Sequence, residues 1–228
     1  MQTVTGSQMR EIDRIMREEY AVDVLIMMEY VGMSTAQVID QLISEEYQTI
    51  LVLTGPGYNG GDALVAARHL ANWNYDVTIL LASPENELKE ATAAQLAILK
   101  NMKVNVVDNA NFKDYDFIID GLLGVGLRSN PTGKIAELIL DANSSGKHIL
   151  AVDVPSGLDC DTGEARSPCI KAQVTVTAGL VKQGLMVKEA KPYVGRLFLS
   201  YLSIPDNVYK KLHLEKPFTG SQLLVEVE

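Results

Sequence analysis

From Thr49 onward, short apolar runs rich in β-branched residues alternate with longer segments of helical periodicity. Residues 50–53, 77–81, 104–107, 117–119, 149–152, 174–176 and 197–199 read as strands. Most are apolar at successive positions, the pattern of a strand covered on both faces rather than on one. Between them, 62–73, 85–102 and 134–144 carry helical spacing. The alternation predicts an α/β fold, a Rossmann-like three-layer α/β/α sandwich with a mostly parallel central sheet and right-handed crossovers. After Val174 the helical segments thin out, and the final strands are expected to add antiparallel pairing.

Upstream, Thr5 or Ser7 is placed to cap a helix whose apolar positions Met9, Ile12, Ile15 and Met16 recur at helical spacing. A second helix is predicted over 24–43, with Gly32 inside it. Glycine in a helix interior costs about 1 kcal/mol against alanine, so this position is expected to need close backbone approach. The reading is one domain over 1–228: a helical region 5–43 packed on an α/β core 49–205, with a loosely ordered polar tail at 210–228.

At 228 residues, 47% hydrophobic and 21% charged, the chain can bury one large core, and two domains would be cramped. A net charge of −9 argues against a binder of nucleic-acid backbones. No basic start followed by an apolar core marks a secretory signal, and no apolar run reaches the roughly 18 residues that span a bilayer. A soluble cytoplasmic protein without membrane or nucleic-acid partners is expected. Cys160 and Cys169 are too few for a disulfide framework and read as ordinary thiols.

Chemistry concentrates where strands end. In Gly55-Pro-Gly-Tyr-Asn-Gly-Gly-Asp62, glycines let a ligand reach main-chain amides, and a helix expected to start near Asp62 points its amide end at the turn, favouring phosphate. The alternative role for Asp62 is simply the cap of that helix. The turn is not a dinucleotide fingerprint: Leu80, Leu81 and Ala82 stand where the ribose-binding acid belongs, which disfavours a nucleotide-dependent oxidoreductase or transferase. Asp120 and Asp153 each follow a buried strand, and a carboxylate there needs donors, a cation or a wet cleft. Parallel strands bring both acids to one edge of the sheet. A hard cation held by Asn59, Asp120 and Ser156 is one solution; capping of loop amides is the other. Ser156-Gly lacks a nucleophile elbow, and His69, His148 and His213 form no recognisable arrangement with it, so serine hydrolysis is a poor fit. Tyr58, Arg128, Lys134 and Lys182 can offer stacking or local positive charge to an anion, or can equally be solvated loop residues.

Four ordered segments carry a family resemblance: residues 57–70, 120–127, 153–163 and 174–184, with Met28-Glu-Tyr-Val-Gly32 upstream. The chain resembles the NAD(P)HX epimerases, the YjeF N-terminal domains, over nearly its whole length. The resemblance implies a Rossmann-like fold, usually homodimeric, that interconverts the R and S forms of hydrated NADH and NADPH so that a dehydratase can restore the cofactor. No dehydratase domain fits within this chain, so that partner is expected to be a separate protein. Carried over by motif, Asn59, Asp120 and Ser156 are the implied potassium ligands. The implied substrate contacts are Tyr58, Asn59, Gly60, Gly61 and Asp62, then Gly124, Val125, Gly126, Leu127, Arg128, Ser129 and Asn130, together with Asp153.

Inversion at a ring carbon bearing a hydroxyl requires loss and return of that oxygen, or ring opening, with proton transfer. Asp153, a carboxylate held at a dry strand end, is the candidate catalytic acid/base. Two departures from the family pattern stand out: Tyr58 replaces an asparagine, exchanging an amide for a flat ring, and Ala63 replaces a glycine. The 128–132 loop is also unlike the commoner forms. The alternative reading is a non-catalytic nucleotide-binding or scaffolding module of the same fold, against which the retained Asp120, Asp153 and Ser156 weigh.

Overall fold

The apolar runs form β1 (Thr49–Thr54), β2 (Asp76–Leu81), β3 (Asn105–Val107), β4 (Phe117–Gly121), β5 (His148–Val152), β6 (Val174–Ala178) and β7 (Arg196–Ser200). They are seen in a computed structural model that describes residues 1–42, 48–127, 129–217 and 221–227. The strands lie side by side in the order β3-β2-β1-β4-β5-β6-β7, all parallel. The tail, expected to be loosely ordered, supplies an eighth strand, β8 (Leu224–Val227), antiparallel to β7. Leu224 packs on the core, and Arg196 on β7 pairs with Glu226 at 2.8 Å.

Side chains alternate between the faces, and helices cover both. Ile50 and Val52 of β1 join a cluster with α1 (Gly6–Glu18), α2 (Val24–Leu42), α3 (Tyr58–Asn72) and α4 (Glu90–Asn101). Leu51 and Leu53 point the other way, into a cluster with α5 (Gly133–Ser144). Beyond β5, the second face is covered by the irregular segments 154–173 and 179–194, the latter including the short α6 (Lys191–Val194), while α7 (Asp206–Lys211) returns to α1. Each fully buried leucine or isoleucine contributes roughly 1.5–3 kcal/mol of apolar burial, so these two layers dominate the fold's stability.

Local chemistry sets the helix ends. Thr5 caps α1 in a capping box, its hydroxyl accepting from Gln8 N while the Gln8 side chain accepts from Thr5 N. The helix expected over 85–102 is broken: a short 3₁₀ turn at Glu85–Glu87 precedes α4, because Lys89 N donates to Pro56 O at 2.9 Å and Thr92 Oγ1 to Gly57 O at 2.8 Å. These bonds pin the start of α4 to the glycine turn. Of the region expected to be helical to residue 43, position 43 lies outside the described residues.

Gly32 sits where α2 crosses α3. A Cβ there would stand 2.4 Å from Val65 Cβ and 2.8 Å from Ala66 N, so the two helices touch backbone to side chain. Gly32→Ala gains about 1 kcal/mol of helix propensity but overpacks the contact by about 1–3 kcal/mol. Urea unfolding is expected to show a net loss of stability of up to about 2 kcal/mol on those magnitudes. A variant more stable than wild type rules out close approach as the reason for this glycine.

Candidate active site at the switch point of the sheet

Chain order reverses between the neighbours β1 and β4: β1 leads outward to β2 and β3, β4 to β5, β6 and β7. The connections after them depart to opposite faces, and a crevice opens at the carboxyl edge of the strands, as in doubly wound sheets generally. A cavity of about 530 Å³ occupies it. Its floor is the loops after β1, β4 and β5, and α1 and α2 form a wall.

The loop after β1 enters α3 four residues earlier than expected. Gly57, in extended conformation, is the N-cap, and α3 begins at Tyr58. A Cβ on Gly60 would lie 2.0 Å from Gly55 O, so tight packing of this first turn outweighs glycine's poor helix propensity. Asp62 is therefore one turn inside the helix and does not cap it. Its carboxyl faces the cavity, and burial, then the nearby Asp153 and Asp13 carboxylates, hold its pKa well above the usual range, with Lys182 opposing.

Asp153 follows β5 in the left-handed region at φ +63°, where aspartate is among the few side chains tolerated. Its N–H donates to Val176 O at 2.7 Å, which aims the carboxylate into the cavity. Oδ1 accepts from Lys182 Nζ at 2.5 Å, Ala178 N at 3.3 Å and Thr177 Oγ1 at 3.4 Å. Oδ2 points toward Gly124, where a Cβ would stand 3.1 Å from it and 3.3 Å from Asn59 Oδ1. Only a glycine lets these two oxygens face one space.

Lys182, which the sequence left open as a solvated loop residue, is fully buried. Its ammonium also donates to Ala178 O at 2.8 Å and Thr177 Oγ1 at 3.1 Å, so its three protons have three acceptors. Asp13 of α1 was missed altogether. It lines the same cavity, and burial, with the Asp153 charge adding, raises its pKa to about 6 against Lys182 and Arg17. Within the charged segment Arg10-Glu-Ile-Asp-Arg14 no sequence signal separates it from a solvated face.

Asp120 and Ser156 lie beneath the floor. Ser156 Oγ donates to Asp120 Oδ1 at 2.6 Å and Ser156 N to Asp120 Oδ2 at 2.8 Å, while Leu123 N donates to Ser156 Oγ at 2.8 Å. Burial raises Asp120 to about 6, although these bonds and one from Leu122 N lower it. Asn59 joins through the same loop, Nδ2 donating to Leu123 O at 2.9 Å, and its buried Oδ1 has no hydrogen-bond partner.

The other expected contacts divide. Tyr58, Val125 and Gly126 line the cavity, with Lys89 Nζ 3.8 Å from the Tyr58 ring centre. Gly60 and Gly61 pack inside α3 against Gly55 and Met28. Leu127, Ser129 and Asn130 continue the loop beyond the cavity lining, and Arg128 lies outside the described residues. Lys134 bonds Asn109 on the surface. His69 pairs with Glu29 at 2.7 Å, and His148 stacks on Phe117. Cys160 and Cys169 are free and buried, their thiols pushed up to about 12 by burial. No helix among the described residues is long and apolar enough to cross a membrane.

The profile of the family described as YjeF-related protein N-terminus matches residues 24–184, the stretch from α2 to Lys182 and its neighbours. The chain belongs to this family. It is 34% identical over 204 residues to an NAD(P)H-hydrate epimerase of Lentilactobacillus buchneri, an alignment covering 89% of this chain and 95% of the relative. It is also 32% identical to the bifunctional NAD(P)H-hydrate repair enzyme Nnr of Moorella thermoacetica, over 95% of this chain and 43% of that longer protein. Among solved structures, the yeast protein ynu0 (YNL200c) superposes over 100% of both chains with a TM-score of 0.84 at 23% identity, which shows the shared fold.

Removing one partner of a buried ion pair leaves the other charge uncompensated, at a cost of about 3–5 kcal/mol. Lys182→Met is expected to lose that much in chemical denaturation at neutral pH, and adding Asp153→Asn is expected to recover part of it. A single variant within about 1 kcal/mol of wild type, well below that range, contradicts the pairing as described.

Proposed function

We propose that the chain is an NAD(P)H-hydrate epimerase, which interconverts the R and S forms of hydrated NADH and NADPH and so repairs damaged nicotinamide nucleotides. The carrying observation is Asp153, a carboxylate with Oδ1 locked by Lys182 and Oδ2 turned to the cavity beside Gly124. Hydration of a dihydronicotinamide puts a hydroxyl on a ring carbon, and inversion there needs a proton moved on and off oxygen by a positioned group. Lys182 fixes the carboxylate's rotamer, and Oδ2 is the atom left to exchange the proton. The apolar side chains of Met27, Met28 and Leu122 bound the same space and exclude bulk water from the ring.

The nucleotide's phosphates need donors. The first turn of α3 supplies free main-chain amides at the cavity mouth, and Lys89 over Tyr58 adds a cation there. Such remote contacts hold the reacting carbon in place, which accounts for much of an enzyme's rate gain.

The donor set around Asn59 fits a potassium ion. The Asn59 Oδ1 without a partner, the Ser156 hydroxyl and the Asp120 carboxylate are hard oxygens gathered on the Leu123 loop. Neutral oxygens outnumber the single carboxylate, which suits a monovalent charge. Bound there, potassium supplies a fixed positive charge that orients polar groups and adds no redox chemistry. The reading carries with it a cytoplasmic homodimer working with a separate dehydratase.

Purified protein incubated with a mixture of R and S hydrates and an S-specific dehydratase is expected to drive consumption of both forms, faster in potassium than in tetramethylammonium buffer. Asp153→Asn is expected to lose most of the epimerisation while still binding substrate. An R form that persists unchanged with wild-type protein leaves the scaffolding reading standing.

A further inference from the structure

Resting on that reading, we infer that Asp13 of α1 is a second catalytic acid/base, acting from the helical wall on the ring face opposite the one served by Asp153. An epimerase must deliver a hydroxyl to both faces of one carbon, whereas Asp153 commits a single oxygen from the strand edge. The two carboxylates reach the same cavity from different elements. Asp153 sits on the floor after β5, and Asp13 sits on the wall formed by α1.

That wall is fixed. Val4 N donates to Val181 O and Gln183 N to Val4 O, both at 2.9 Å, so the residues leading into α1 are stitched to the segment carrying Lys182. Arg10 Nη1 reaches across to Val125 O at 3.1 Å, tying α1 to the loop that holds Gly124. Ile12, Ile15 and Met16 are fully buried on the same helix, so Asp13 cannot swing away without disrupting the core. Its carboxyl makes no hydrogen bond among the described residues, unlike Asp153 Oδ1 and both oxygens of Asp120. The charged groups that face it are Lys182, Asp153, Asp62 and Arg17.

The step balances without any further reagent. Water adds to a dihydronicotinamide at the carbon beside the ring nitrogen. In one direction the C–O bond breaks toward oxygen, which takes the Asp13 proton and leaves as water, while the nitrogen lone pair closes a C=N bond. Water then adds to the other face, its electron pair reforming C–O, and gives its proton to Asp153. The reverse direction exchanges the roles, and the pair holds one proton in either case. With its proton given up, Asp13 together with Asp153 sets two carboxylates against the one buried ammonium of Lys182, which favours the cationic ring formed between the two steps.

The test uses the full chain and mixed hydrates in ¹⁸O water. Wild type is expected to invert and to take up label, with a bend in kcat/KM near pH 6 in both directions, where Asp13 titrates. Asp13→Asn is expected to lower inversion at least 100-fold with KM within a few-fold. It is expected to keep label exchange only in the epimer whose hydroxyl faces Asp153, and to lose the bend. Asp13 is destabilising when ionised, because its folded pKa is raised: the stability present below about pH 4 is lost as pH rises through about 6. The variant's thermal midpoint above pH 6 should therefore not fall below wild type, and Asp13→Glu is expected to restore part of the inversion. Inversion by Asp13→Asn at wild-type rate, or loss of exchange together with inversion, overturns the role, as does inversion by wild type without label. A wild-type protein that inverts nothing refutes the epimerase reading instead.

Discussion

The buried contact between Lys182 and Asp153 organises the carboxyl edge of the sheet. An ammonium removed from water is tolerated only with its protons engaged, and here all three acceptors come from the ends of β5 and β6. Satisfying Lys182 therefore fixes where those strands stop and which oxygen of Asp153 is used. The same segment pairs with Val4, so the position of α1 follows from it. A backbone held at φ +63° completes the arrangement, since an extended residue would carry the carboxylate away from the lysine.

One lysine does not neutralise the cavity. Asp13 and Asp62 share the space with Asp153, and burial together with mutual repulsion shifts both toward their protonated forms. A site of this composition disfavours an anionic ring end and accepts a neutral or cationic one. At its mouth the balance reverses, with Arg10, Arg17 and Lys89 along the lining and the amide end of α3. A ligand with an anionic tail and a ring able to carry positive charge matches both ends, which is the charge pattern of a nicotinamide nucleotide.

Much of this was legible in the chain. Seven strands stood out because burial on both faces leaves uninterrupted apolar runs, and Asp120 and Asp153 stood out because an acid directly after such a run demands an explanation. β8 did not, being a short edge strand with Glu226 among its few apolar residues and only half-buried. Lys182 and Asp13 were unreadable for a different reason. The ion pair of Lys182 spans 29 residues, the cavity that Asp13 lines is built from segments far along the chain, and each sits in a local context that fits a surface residue as well. The start of α3 was misplaced because glycines at 60 and 61 look like a turn, whereas contacts with Gly55 and Met28 require them in the helix.

The oxygen-rich network and the Asp153 carboxylate are linked by backbone rather than by side chains. Leu123 donates to Ser156 and accepts from Asn59, and a Cβ on the next residue, Gly124, would crowd both Asn59 Oδ1 and Asp153 Oδ2. Because Asp120 receives both Ser156 donors, the loop after β4 cannot shift without leaving buried groups unsatisfied, a penalty of about 1–3 kcal/mol for each. The loop thus holds its position through hydrogen bonds made below the floor, and at Gly124 it presents no side chain to the cavity. Rigidity from beneath and openness above hold the Asp153 carboxylate in one position while leaving the space beside it open to a ligand.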